Sequence, residues 1–149
     1  MEIRVCDRDE IERGMPIRSD YVVISIHDPG KKRANVKPQS GLRDVLFLAF
    51  HDAEPAAGFE LPPEIQPITA AQADAIRKFV RKHEADAGAI IVHCEQGMSR
   101  SPAVAAAISD ALGLDPRRFW QFHTPNAYVY HTVADAFERA AAGRKAGGQ

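Results

Sequence analysis

At 149 residues the chain is long enough for one domain with a real hydrophobic core, and a composition of 45% hydrophobic and 26% charged residues is that of an ordinary globular protein. A formal net charge of −1 gives no sign of nucleic-acid or membrane-surface binding. Two cysteines, Cys6 and Cys94, are too few for a disulfide framework, no charged-then-apolar leader opens the chain and no apolar run approaches bilayer-spanning length, so a reduced, cytoplasmic setting and a monomer are expected.

In chain order, Ile3-Arg4-Val5 reads as an edge strand with Asp7 to Arg13 as a helical turn behind it. Tyr21 to Ile26 is rich in β-branched residues and Val45 to Phe50 is apolar throughout, the pattern of buried strands. Thr69-Ala70-Ala71-Gln72 has the form of a capping box, opening a helix that turns Ala73, Ile76, Phe79 and Val80 toward the core and ends before Gly88. Ala89 to Val92 is a further buried strand. Ser101-Pro102 reads as a cap and first-turn proline, opening a helix through Leu112 to the stop at Gly113. Asp115-Pro116 and Thr124-Pro125 repeat that pattern, predicting a short helix to Phe122 and a last helix through about Ala142. Residues 1–142 then form one domain, and Gly143 to Gln149 a frayed tail. The fold class expected is α/β, a single domain whose mostly parallel twisted sheet of about four to five strands is flanked by helices.

Parallel sheets bind ligands at the carboxyl ends of their strands. Here those ends read His27-Asp28-Pro29-Gly30, His51-Asp52-Ala53-Glu54-Pro55 and His93-Cys94-Glu95, so three loops carrying polar groups converge on one cleft. The segment from Cys94 to Ser101 leaves a strand and enters a helix N-terminus, where free N–H groups and the positive helix end attract an anion. The same field favours thiolate over thiol, and the thiolate is the nucleophile. A nucleophile, an anion cradle and the Arg100 guanidinium on one short loop describe attack on a phosphate ester.

The signature His93-Cys94-x-x-Gly97-x-x-Arg100-Ser101 resembles, at every fixed position, that of the cysteine-dependent protein tyrosine and dual-specificity phosphatases. Its spacing differs from the shorter loop of rhodanese sulfurtransferases. Phe50 to Pro55 resembles the segment bearing that family's general acid, Pro125-Asn126 a feature of its compact dual-specificity group, and Asp28-Pro29-Gly30 a feature of small bacterial or phage members. The resemblance implies that Cys94 forms a phosphocysteine, that the backbone from Glu95 through Gln96, Gly97, Met98 and Ser99 to Arg100 cradles the phosphate, and that Arg100 clamps two of its oxygens. It implies further that Ser101 stabilises the departing thiolate, that His93 orients the loop and helps lower the thiol pKa, and that Asp52 is the general acid and base. No metal or cofactor is implied.

Other readings stand beside these. The interval between Asp52 and Cys94 is longer than in compact members of the family, the extra length lying in Ala53 to Ile68, and Glu54 is the alternative acid with Glu60 and Glu64 behind it. His27, His51 and His93 admit a metal site, Cys6 a redox partner for Cys94, and Lys31-Lys32-Arg33 with Lys37 a basic guide for an anionic substrate. The interior residues Glu95, Gln96, Met98 and Ser99 include no cation, which disfavours inositol phosphates and favours a phosphorylated protein side chain or small phosphomonoester. A sulfurtransferase, an arsenate reductase and a phospho-ligand-binding pseudophosphatase are the competing functions.

Overall fold

The β-branched runs of this chain build a four-stranded sheet in the order β1-β4-β2-β3, in which every neighbouring pair is parallel. A computed structural model describes residues 1–147. The strands are β1 (Glu2–Cys6), β2 (Tyr21–His27), β3 (Leu42–Ala49) and β4 (Ala89–His93). The helices are α1 (Arg8–Arg13), α2 (Ala70–His83), α3 (Arg100–Ala111), α4 (Arg117–Phe122) and α5 (Ala127–Gly147). The expected single α/β domain with a parallel sheet is what forms, with four strands.

Period-two alternation decides which core each side chain joins. Val22, Ile24, Ile26, Ile90 and Val92 face α2, α3, α4 and α5, whereas Tyr21, Val23, Ala89 and Ile91 face α1 and the connection after β2. Each such aliphatic side chain, once fully buried, contributes about 1.5–3 kcal/mol. The alanines at 103, 105, 106 and 107 leave α3 thin enough to be buried on all sides, between the sheet and α5. The Thr69–Gln72 capping box forms with both reciprocal bonds, and Asp7 and Glu10 make a second one at the start of α1.

Several boundaries differ from the sequence expectation. Strand β3 begins at Leu42 and ends at Ala49, which hands Phe50 to the following loop. Ser101 is not a cap but lies within the first turn of α3, since the preceding loop closes two residues earlier at Ser99. Helix α5 opens after Asn126, whose Oδ1 accepts from the Val129 N–H at 3.0 Å, so the capping position falls to asparagine and not to Thr124. Helix α5 runs on through Gly143 to Gly147, and Gly148 and Gln149 of the expected tail lie outside the described residues.

Candidate active site

All four strands end on the same side of the sheet, so Asp7-Arg8, Asp28, Phe50-His51-Asp52 and Cys94 open toward one region. There a cleft of about 390 Å³ is lined by Asp28, His51, Asp52, Ile65, Cys94, Arg100 and the loop between the last two. Cys94 and Arg100 are both nearly buried, at 3% and 6% exposure, and so are shielded from bulk water. Ser101 Oγ lies 3.2 Å from Cys94 Sγ, so the hydroxyl that the sequence suggests as a cap faces the cysteine instead.

The loop's shape depends on Gly97, whose φ of +70° is a left-handed conformation that L side chains avoid. A Cβ there would also stand 2.9 Å from the Cys6 carbonyl oxygen and 3.1 Å from the Asp7 nitrogen, both backbone atoms that cannot yield. Gly97→Ala is expected to destabilise the fold by about 2–3 kcal/mol in denaturant unfolding and to weaken oxyanion binding, because the loop must move or strain. Unchanged unfolding and binding would show that the loop tolerates another shape.

Register explains His93. In the sheet it stands between Cys6 of β1 and Ser25 of β2, and its Nε2 lies 2.6 Å from Ser25 Oγ. Its Nδ1 is 3.3 Å from the Cys94 carbonyl, an acceptor only, so Nδ1 carries the proton and Nε2 accepts from the serine hydroxyl. Burial, first of all, pushes the His93 pKa below the ordinary imidazole value. Burial thus favours the neutral ring, which braces the Cys94 carbonyl through Nδ1.

Asp52 is held by both flanking elements. Ser99 Oγ and Asn126 Nδ2 donate to its Oδ1 at 2.9 and 2.8 Å, and the same Asn126 nitrogen donates to the Ala53 carbonyl at 3.0 Å. Among the described residues Oδ2 has no protein partner and stays open at the cleft. Glu54, the alternative acid, is turned away and accepts from the Ala127 N–H at the start of α5, at 2.9 Å. Glu54, Glu60 and Glu64 are not among the residues lining the cleft, although Ile65 of the same long loop is.

Arg100 makes two contacts through one nitrogen. Its Nη1 donates to Asp28 Oδ1 at 2.7 Å and to the Phe50 carbonyl at 2.8 Å, tying together the loops after β2 and β3. Glu95 at the head of the loop turns its carboxylate toward Arg8, 3.4 Å away, while its carbonyl accepts from the Arg8 N–H at 3.1 Å. The basic loop is also engaged: Arg33 lies over the Phe47 ring at 4.2 Å, and Lys31 Nζ is 3.7 Å from Asp28 Oδ2.

Asn126 and His51 take positions at the site other than those the sequence suggests, His51 as a loop anchor instead of a metal ligand. Within Pro125-Asn126 the asparagine both caps α5 and pins Asp52. His51 lines the cleft and accepts the Gln66 N–H at its Nδ1 (2.9 Å), which folds the long loop back onto the site. Among the described residues no three His, Cys, Asp or Glu side chains cluster as a metal site would. Cys6 is buried beneath the loop, and burial, then Glu10 and Asp7, pushes its thiol up to about 12. Cys6 is therefore a neutral core thiol at physiological pH.

No protein-family model matches the sequence, and no curated protein matches it. Solved structures do match the fold. Human tyrosine phosphatase-like serine/threonine/tyrosine-interacting protein superposes with a TM-score of 0.53 at 22% identity, over 83% of this chain and 80% of that one. PTPMT1 superposes with a TM-score of 0.50 both in complex with PI(5)P, at 15% identity, and by itself, at 16%. Those two matches cover 83% and 85% of this chain and 80% and 81% of PTPMT1. The chain thus has the phosphatase fold of these proteins, and the resemblance read from residues 93–101 is upheld at that level.

Proposed function

We propose that the protein is a metal-independent phosphomonoester hydrolase of the protein tyrosine or dual-specificity type. The observation that supports this most is the meeting, in one cleft, of a shielded Cys94, a tethered Arg100 and an Asp52 with one carboxylate oxygen pinned and the other free. Cys94 attacks phosphorus as its thiolate, a sulfur–phosphorus bond forms, and the bond from phosphorus to the ester oxygen breaks. Asp52, entering protonated, gives that proton to the departing oxygen. Arg100 and the backbone N–H groups of residues 95–100 hold the nonbridging oxygens, and in a loose transition state this positioning supplies most of the acceleration. In the second step Asp52 takes a proton from water as the water oxygen displaces sulfur, and the Ser101 hydroxyl donates to the released thiolate. Inorganic phosphate leaves and the enzyme is restored.

The substrate class follows from the charges inside the loop. Glu95, Gln96, Met98 and Ser99 offer no cation for a second phosphate, and Glu95 adds a carboxylate at the rim. A phosphorylated tyrosine, serine or threonine side chain, or a small monoester of similar charge, suits that lining better than a polyphosphorylated headgroup. PI(5)P is bound by PTPMT1, a protein sharing the fold at 15% identity, and makes a direct comparison substrate.

The test is release of inorganic phosphate, in the presence of a metal chelator, from an aryl phosphate, from phosphotyrosine and phosphoserine peptides, and from PI(5)P. Hydrolysis of the aryl phosphate and of at least one peptide is expected, with PI(5)P at least about tenfold slower by kcat/KM. Tight phosphopeptide binding with no phosphate released from any substrate would make the chain a binding module instead.

A further inference from the structure

We propose that Asp28 is a positioning residue for the anion site: it holds the Arg100 guanidinium by one nitrogen so that the remaining N–H groups face an incoming oxyanion. The inference rests on the reading of Arg100 as the phosphate ligand and adds the residue that aims it.

The two N–H bonds of Arg100 Nη1 are both taken, by Asp28 Oδ1 at 2.7 Å and by the Phe50 carbonyl at 2.8 Å. Among the described residues neither Nε nor Nη2 has a protein partner. A guanidinium is planar, so fixing one corner with two acceptors from different loops fixes its rotation. The opposite edge, Nε–H with Nη2–H, is the pair that matches two oxygens of a phosphate. Anion binding therefore does not have to break the contact with Asp28.

Asp28 is itself anchored. Its carbonyl accepts from the Lys31 N–H at 3.1 Å, closing a turn, and Lys31 Nζ approaches its other carboxylate oxygen at 3.7 Å. Arg8 then ties the loop to its neighbours: Nη1 donates to the Lys32 carbonyl at 3.0 Å and Nη2 to the Arg33 carbonyl at 3.2 Å. Because Arg8 also bonds Glu95, the loop after β2 is joined to the phosphate loop at both Asp28 and Arg8. Burial opposes the charge on Asp28, but Arg100, and then Lys31 and His51, outweigh it and hold the carboxyl below its ordinary value. A carboxylate is what faces the guanidinium at neutral pH.

The experiment measures tungstate binding to the full chain by calorimetry, with kcat and KM on an aryl phosphate, for wild type, Asp28→Asn and Asp28→Ala. Asp28→Ala is expected to weaken tungstate and raise KM by about tenfold, the scale of one hydrogen bond to a charged group, while Asp28→Asn, which keeps an acceptor oxygen, stays within about threefold. Tighter tungstate binding in Asp28→Ala would mean that the carboxylate competes with the anion, and the proposal would be overturned. Unchanged affinity with only a lower melting temperature would overturn it too, by reducing Asp28 to charge neutralisation. Should Asp28→Ala not fold, Asp28→Ser, whose hydroxyl is too short to reach Nη1, carries the same expectations. Tungstate binding needs no turnover, so a wild type that binds it without hydrolysing esters sinks the proposed function and leaves the role of Asp28 standing or falling on its own numbers. A wild type that binds no tungstate removes both.

Discussion

Cys94→Ser is expected to lose at least about a thousandfold in kcat on an aryl phosphate while the folded protein still binds oxyanions. The serine alcohol ionises far less readily than a thiol and forms a worse leaving group in the second step, so both halves of the reaction suffer. The cradle does not depend on sulfur: Gly97 sets the loop against the Cys6 backbone, and Arg100 is tethered by Asp28 and Phe50. Hydrolysis and tungstate affinity should therefore separate in this variant, the first vanishing and the second remaining within a few-fold. A serine variant as active as wild type would remove Cys94 from the chemistry.

Asp52→Asn should show a loss that depends on the leaving group. Phenolate is a poor leaving group and needs its proton, so kcat/KM on phenyl phosphate is expected to fall by about a hundredfold or more, within the range general acids contribute. An aryl phosphate whose phenol is strongly acidic departs without help, and on it the loss in kcat/KM should stay under about tenfold. Asparagine keeps an oxygen for Ser99 and Asn126, which bond the Oδ1 of Asp52, so the loop between Phe50 and Glu54 stays in place. Glu54→Gln should be near wild type on both substrates, since Glu54 caps α5 and does not line the cleft. Equal losses on the two substrates in Asp52→Asn, or the leaving-group pattern in Glu54→Gln, would reassign the acid.

How much of this was legible in advance depends on whether the signal is local. Strands β2 and β4 follow directly from β-branched apolar runs, and α2 from its Thr69–Gln72 box and its apolar face. Convergence of the strand ends also follows, because parallel strands must end together. The start of α3 did not, since Ser101-Pro102 has the local form of a cap, whereas the hydroxyl is drawn to Cys94 by the tight loop before it. The start of α5 failed for a similar reason: Thr124-Pro125 mimics a cap, but Thr124 gives its N–H to the Met98 carbonyl and the capping bond comes from Asn126. Asp28 was legible as a neighbour of the cleft but not as the partner of Arg100, because that pairing joins residues 72 positions apart in sequence. The choice between Asp52 and Glu54 likewise awaited the backbone path that turns one toward the cleft and the other toward α5.

The surroundings of His93 show what sequence position alone leaves open. A histidine beside a cysteine invites a thiolate–imidazolium pair, yet the sheet register encloses this ring between β1 and β2 and burial pushes its pKa down. In the proposed mechanism the groups left to face both the sulfur and the phosphate are the N-terminus of α3 and Arg100.

A phosphoryl group carried on Cys94 during turnover should be trapped by rapid acid quenching of the enzyme with a radiolabelled aryl phosphate. The label should be found on protein, and peptide mapping should locate it on the segment containing Cys94, linked through sulfur. Label confined to free phosphate and substrate at every quench time, or carried on a histidine or serine, would contradict the account.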